Sequence, residues 1–411
     1  MANNNKHTGP NVPALRFPEF SGEWERKALS EFVDRVTRRN KGLKSTRPLT
    51  ISAQFGLVDQ TEFFKKSVAG ADLSNYYLLS KGEFAYNKSY SDGYPLGAIK
   101  RLDRYDSGVL SSLYICFVPK PYMSSDYLVQ YFESTKWNQV VKDISGEGAR
   151  NHGLLNVPVT GFFETQHYIP KRDEQEKLGA FLTLIEKRIA TQSKIIEELK
   201  TLRGALVDTY INDGNNNENQ TIMSLGAYGC FVRGLTYSSV DVTDNTATTG
   251  VVRSNNLEYG SPVDIKADLV YVTKKPSPEQ MLVNGDIVIC MANGSSSLVG
   301  KASNYQELCR NMTVGAFCGI YRGTHPLTKW IFMSSAYCKA VANAIQGGNG
   351  AIANLHAEDI LSMCFAVPSD YKTITELGKL LSLFDEKLHA AEEQLVRFIE
   401  QKKYFLFKMF I

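Results

Sequence analysis

The sequence predicts an α+β protein built twice over: a β-rich globular segment followed by a long coil-forming helix, then the same order again. Three observations carry this expectation. A heptad seam runs through residues 173–211, and a second runs from about residue 373 to the last residue. The two seams align at a constant offset of 199 residues, Leu178 on Leu377. The segments before each seam also echo one another in their turns and short apolar runs.

Steps of 4, 3, 4, 3 along the first helix select Leu178, Leu182, Ile185, Ile189, Gln192, Ile196, Leu199, Arg203, Leu206 and Tyr210. The same steps along the second select Leu377, Leu381, Phe384, Leu388, Ala391, Leu395, Phe398, Lys402, Phe405 and Met409. A sustained apolar seam every 3.5 residues is the pattern of a coiled coil. Even the interruptions match, Arg203 with Lys402, and both helices open on Leu-Gly. Two seams in one register predict an internal duplication rather than two unrelated core helices. At 1.5 Å per residue each helix is roughly 55 Å long. The tail 404–411, apolar nearly all round, predicts burial against a partner or the other helix.

In the globular segments, Gly82-Glu83 before Phe84-Ala85-Tyr86 parallels Gly285-Asp286 before Ile287-Val288-Ile289, a Gly-acid turn feeding a strand. Runs 110–118 and 314–321 predict one later strand each. Gly-rich turns follow at 144–149 and 345–351, and a Pro precedes each long helix, at Pro170 and Pro368. Residues 212–220 form a polar linker. The predicted boundaries are a first domain 1–172, a central helix 173–211, a second domain 212–370 and a distal helix 371–411.

Composition narrows the function classes. The chain has 411 residues, 43% hydrophobic and 22% charged, enough for more than one core and not a disordered composition. Net charge is only +3. Residues 1–170 carry 21 basic and 17 acidic side chains, and residues 213–370 carry 10 and 13. Any grip on nucleic acid is therefore local. Seven Cys without a C-x-x-C give no zinc signature and no disulfide framework, and most sit in apolar runs as small core residues. With no leader and no run of 18 apolar residues, the chain reads as cytoplasmic and non-membrane. Catalytic signatures are missing too. Gly294–Lys301 is spaced wrongly for a phosphate loop and is followed by Ala302 where Ser or Thr is needed. There is no H-E-x-x-H, no helix-opening G-x-G-x-x-G and no Asn/Asp-Pro-Pro-Tyr of an amino-methyltransferase. No metal or catalytic residue is expected.

Val12-Pro13-Ala14-Leu15-Arg16-Phe17-Pro18-Glu19-Phe20 with Gly22-Glu23-Trp24 resembles the N-terminus of specificity subunits of type I restriction–modification enzymes. Gly82-Glu83-Phe84-Ala85-Tyr86-Asn87-Lys88-Ser89-Tyr90 and Tyr94-Pro95-Leu96-Gly97-Ala98-Ile99-Lys100-Arg101-Leu102 resemble the centre of their first recognition domain, and the two Leu-Gly helices resemble their spacers. The resemblance implies two target-recognition domains separated by two long antiparallel coiled-coil helices, with an internal pseudo-two-fold repeat. It implies a DNA-binding, non-catalytic subunit that reads a two-part site on double-stranded DNA. It further implies two modification (methyltransferase) subunits and restriction (endonuclease and translocase) subunits as partners. S-adenosylmethionine, ATP and Mg²⁺ would then belong to those partners, with no cofactor in this chain. A two-fold repeat also suits a bipartite site on physical grounds.

Within that reading, Arg35, Arg38, Arg39, Lys41, Lys44 and Arg47 form a basic stretch with no acid between Asp34 and Asp59, suited to phosphate contacts. The bland alternative is a solvated loop. Asn87, Lys88, Tyr90, Lys100, Arg101 and Arg104 combine base-reading side chains with glycines that let a loop approach a groove, or else make a polar hairpin. Asn293, Ser295, Ser296 and Lys301 are their counterparts in the second domain. Arg150 and Asn151, Asn349, and Arg233 and Arg253 complete the candidates. For the helices the candidate surface is the seam itself, one face for the other helix and one for the modification subunits. Two rival classes stay open: a coiled-coil adaptor whose globules bind protein, and a self-sufficient methyltransferase or nuclease.

Overall fold

A computed structural model describes residues 11–64, 70, 72–91, 93–145, 155–214, 219–266, 268–306, 311–345 and 353–411. The chain divides into two compact units, Met1–Ser193 with Glu393–Ile411, and Lys194–Glu392. The central helix spans Arg172–Tyr210 and the distal helix Tyr371–Lys408, within three residues of the seams read from the sequence.

In the first unit a four-stranded antiparallel sheet runs in the order Val33–Arg35, Ile115–Pro119, Phe84–Asn87, Ala98–Arg101. Glu25–Ala28 pairs with Gln166–Ile169, and Tyr77–Ser80 with Ser107–Leu110. The alternate side chains Phe84, Tyr86 and Phe117 point to one face, where Phe84 and Phe117 meet the edge of Phe132 and Tyr86 stacks on Phe162. The opposite face, with Ala85, Ala98 and Cys116, is buried in a second core, so both faces of this sheet are covered. Helix Ser125–Glu133 is capped by the Ser124 hydroxyl, which accepts from Tyr127 N at 3.3 Å. It crosses the start of the central helix at Gly179, where an added Cβ would lie 2.8 Å from Tyr127 N. The end of the chain closes this core: Met409 and Phe410 are buried, with the Phe410 ring 5.6 Å from that of Tyr127. The apolar tail is thus only partly hidden, since Tyr404 and Phe407 face outward.

The second unit has a four-stranded antiparallel sheet in the order Gly229–Arg233, Cys318–Gly323, Ile287–Cys290, Ala302–Asn304. Gln220–Ser224 pairs with Cys364–Pro368. A second sheet joins Val242–Thr243, Val270–Val272, Thr249–Val252 and Met312–Val314, the last pair parallel. Helix Ser335–Ala344 is capped by Ser334, which accepts from Tyr337 N at 3.1 Å. Tyr321, Trp330, Phe332, Tyr337 and Phe365 fill the core with Leu377 and Leu381 of the distal helix.

Two sequence expectations need correction here. The apolar runs 110–118 and 314–321 are not single strands. Tight turns divide them into Ser107–Leu110 and Ile115–Pro119, and into Met312–Val314 and Cys318–Gly323. The Gly-acid turns are as expected: Gly82 and Gly285 have φ of +89° and +92°, a conformation glycine adopts without penalty. Of the six described cysteines, only Cys116, Cys290 and Cys318 are buried; Cys230, Cys338 and Cys364 are exposed, because each lies on the outward face of its element.

Candidate nucleic-acid interface

The basic stretch of the first unit splits by task. Arg38 lies across the Gly82-Glu83 turn and donates to the buried Glu83 carboxylate at 2.7 Å and to Ser80 Oγ at 2.9 Å. Arg39 donates to Asn75 O and stacks over the Tyr77 ring at 4.5 Å. Arg47 pairs with Asp59 at 3.4 Å and covers the Tyr105 ring at 4.3 Å. Those three guanidiniums brace the surface. Arg35, Lys41 and Lys44 are exposed and carry no ion pair among the described residues, so they keep their full charge for an external anion.

Around strands 84–87 and 98–101 the same division holds. Lys100 is held by Glu133 and lies 5.0 Å from the Tyr94 ring centroid. Burial pushes the Tyr94 hydroxyl up to about 12, so it stays protonated and donates to Glu133 at 3.4 Å. Arg101 pairs with Asp103 and Asp126. Asn87 Oδ1 accepts from Ser89 N at 3.1 Å, shaping the segment that presents Lys88 and the outward-facing Tyr90. Arg104 is exposed. Arg150, Asn151 and Asn349 lie outside the described residues.

In the second unit, Asn293 sits in a short pair, Ala292–Asn293 with Ala353–Asn354. Its amide donates to Ser254 Oγ at 3.3 Å and its carbonyl accepts from Ser295 N at 3.0 Å. Ser295 and Ser296 are exposed, Lys301 is half-buried and Arg233 is exposed. Arg253 donates from one Nη to Asp268 O at 2.9 Å and Oδ2 at 3.0 Å, while its buried Nε has no hydrogen-bond partner. Arg253, Asn255, Tyr237 and Phe317 line a cavity of about 500 Å³. The Gly-acid turn is again braced by an arginine: Arg322 grips Asp286 at 2.7 and 2.8 Å.

Sequence reasoning missed two side chains beside these loops. Leu113 and Phe317 are 63% and 67% exposed, at the tips of the turns that split the apolar runs. Their surroundings in the sequence read as buried strand, so no periodic signal marked them.

Along the helices, Leu178, Leu182, Ile196, Leu377, Leu381, Leu388, Phe398 and Met409 are buried. Ile185, Ile189, Leu199, Leu206, Phe384, Leu395 and Phe405 are half-buried. Toward the end of the central helix burial moves from Leu206 to Val207 and Ile211. A straight helix of 3.6 residues per turn drifts about 20° per heptad from a 3.5-residue stripe. The polar seam residues are paired, Arg203 with Asp385 at 2.5 Å in the second unit and Lys402 with Glu186 at 2.6 Å in the first. Among the described residues no cluster of His, Cys, Asp and Glu is arranged to hold a metal, and no helix is long and apolar enough to cross a membrane.

No protein-family profile matches the chain. A stretch of 112 residues is 33% identical to the type I restriction enzyme EcoKI specificity subunit of Escherichia coli (strain K12), covering 26% of this chain and 24% of that protein. Over 115 residues it is 32% identical to the StySPI specificity subunit of Salmonella potsdam, covering 27% and 24%. The matched stretch therefore spans about a quarter of these relatives. The fold likeness is far longer. A chain from a structural study of complex assembly in a type I restriction–modification system superimposes with a TM-score of 0.56 at 13% identity, covering 93% of this chain and 96% of that one. The type I restriction–modification S subunit from M. genitalium gives 0.54 at 12%, covering 97% and 99%. In sequence over that stretch, and in fold over nearly its whole length, the chain is similar to type I specificity subunits.

Proposed function

We propose that this chain is the DNA-specificity subunit of a type I restriction–modification complex, reading a bipartite site with one half-site per unit. The observation that supports the proposal is the likeness between the main sheets of the two units. Each unit has the same sheet order and a Gly-acid turn entering the third strand of that sheet, and Ser134 and Ser334 each donate a hydroxyl to the carbonyl three residues earlier, ahead of helices Asn138–Ile144 and Ser335–Ala344. The offset of 199 residues that registers the seams also carries Glu186 onto Asp385 and Arg203 onto Lys402, so the two ion pairs are counterparts. Reciprocal pairs of this kind fit two helices packed antiparallel about a pseudo-two-fold axis, with the helical pair setting the gap between half-sites. The exposed outer faces of the helices, with Leu184, Val396 and Phe407 among their apolar residues, would receive the modification subunits. Methyl transfer, ATP-driven translocation and cleavage, with S-adenosylmethionine, ATP and Mg²⁺, would belong to those subunits and to the restriction subunits.

Phosphate attraction in this reading comes from Arg35, Lys41, Lys44 and Arg104, and base reading from the loops after strands 84–87 and 287–290. The test is salt-dependent DNA binding by the full chain assembled with its methyltransferase subunits. Affinity that falls with salt, and that prefers a duplex carrying a single two-part sequence, supports the proposal. An assembled complex with no preference among duplexes sinks it and favours the protein adaptor.

A further inference from the structure

Each unit carries one large apolar side chain at the same place in its fold, and burial does not explain either. Ser111–Tyr114 is a tight turn closed by Tyr114 N donating to Ser111 O at 3.2 Å; Gly315–Cys318 is closed by Cys318 N donating to Gly315 O at 2.8 Å. Leu113 and Phe317 occupy the third position of these turns. Both turns enter the second strand of the four-stranded sheet, and both tips abut the candidate reading loop. Tyr86 faces Ile115 in the strand register, two residues beyond Leu113, so the Leu113 turn adjoins the end of strand Phe84–Asn87 from which the loop leaves. In the second unit Met291 N and Ala292 N both donate to Phe317 O, at 2.8 and 3.2 Å.

Exposing a Leu or a Phe forfeits the free energy its burial would have contributed. Isolated cases are ordinary, but the same cost incurred twice at one structural position, beside base-reading side chains, calls for a ligand with an apolar surface. Around Phe317 the polar complement is present: the cavity beneath it is lined by Arg253, whose buried Nε lacks a partner, and by Asn255 and Tyr237. A nucleobase offers such a combination, an apolar face or methyl group bordered by acceptors.

We infer that Leu113 and Phe317 are the apolar base-contact residues of the two half-sites, with Arg253 the polar partner of Phe317. The inference rests on the DNA-reading proposal above and adds to it the side chains that touch bases.

The test uses the full chain assembled with its methyltransferase subunits, as wild type, Leu113→Ala, Phe317→Ala and Arg253→Gln, each checked for an unchanged melting temperature. Binding is measured by anisotropy on duplexes carrying the wild-type site with either half scrambled. Truncating a side chain that meets a base lowers affinity by roughly 5- to 100-fold. Phe317→Ala and Arg253→Gln are expected to abolish discrimination against scrambling of one half-site, and Leu113→Ala discrimination against the other. Wild type that discriminates while all three variants match it overturns this inference and leaves the specificity reading intact. Wild type that discriminates neither half refutes the reading on which it rests.

Discussion

The two Leu-Gly openings look interchangeable in the sequence, and the structure predicts that alanine separates them. Gly179 and Gly378 both lie inside long helices, where glycine costs about 1 kcal/mol relative to alanine. Nothing lies within 4 Å of a Cβ built on Gly378. At Gly179 the new Cβ meets Tyr127 N at 2.8 Å, the Asp126 carbonyl carbon at 3.0 Å and Asp126 Cβ at 3.2 Å. The first two of these atoms are main chain, and their helix is fixed in place. Tyr127 and Tyr131 are buried, the Ser124 hydroxyl caps the helix, and Ser124 N donates to Gln175 Oε1 of the central helix at 2.9 Å. Overpacking of this kind costs about 1–3 kcal/mol. The propensity gain is common to both variants and cancels in their difference, which leaves the overpacking cost. At about 2–4 °C per kcal/mol for a unit of this size, Gly378→Ala should raise the melting temperature by about 2–4 °C. Gly179→Ala should fall at least about 2 °C below it. Scanning calorimetry of the full-length variants reads both. Equal upward shifts would refute the close approach at Gly179.

Three further predictions follow from particular contacts. His167 is buried, with Nε2 2.8 Å from Thr165 Oγ1 and Nδ1 2.7 Å from Tyr131 Oη, and burial pushes its pKa down to about 4. Above pH 6.5 the imidazole is neutral folded or unfolded. Between 6.5 and 4 only the unfolded chain takes the proton, so stability should fall by about 3 kcal/mol across that window as pH drops. His167→Gln should flatten that part of the stability profile in urea titrations, and an unchanged slope would contradict the assignment. Arg322→Ala leaves the Asp286 carboxylate, 1% exposed, without its cation. A loss of about 3 kcal/mol is expected, the low end for a broken buried pair because Arg322 itself is one-third exposed. Lys41→Ala with Lys44→Ala should weaken binding of the assembled complex to every duplex alike and lower the salt slope by up to about 2, with melting unchanged. A sequence-dependent loss would assign these lysines to base reading instead.

What the sequence disclosed depended on whether the deciding interaction was periodic. The long helices were legible because a seam over more than four heptads is unambiguous. The Gly-acid turns were legible because a positive φ selects glycine. The basic candidates were legible only as residue types. Arg38, Arg47 and Lys100 are bound by carboxylates that fall next to them only after folding, such as Glu83 across 45 residues and Glu133 across 33. Leu113 and Phe317 were invisible for the opposite reason: each lies inside an apolar run, and only the turn geometry turns it outward.

The most direct test of the central claim is a domain exchange read in a genome. The chain is co-expressed with its methyltransferase subunits, methylated adenines are mapped, and residues 1–172 are then replaced by the first domain of a related subunit. A two-part motif with a fixed gap is expected only when this chain is present. One half of that motif should change on exchange while the other half and the gap persist. Methylation that is unaltered by removal of the chain, or a motif that changes in both halves at once, would contradict it.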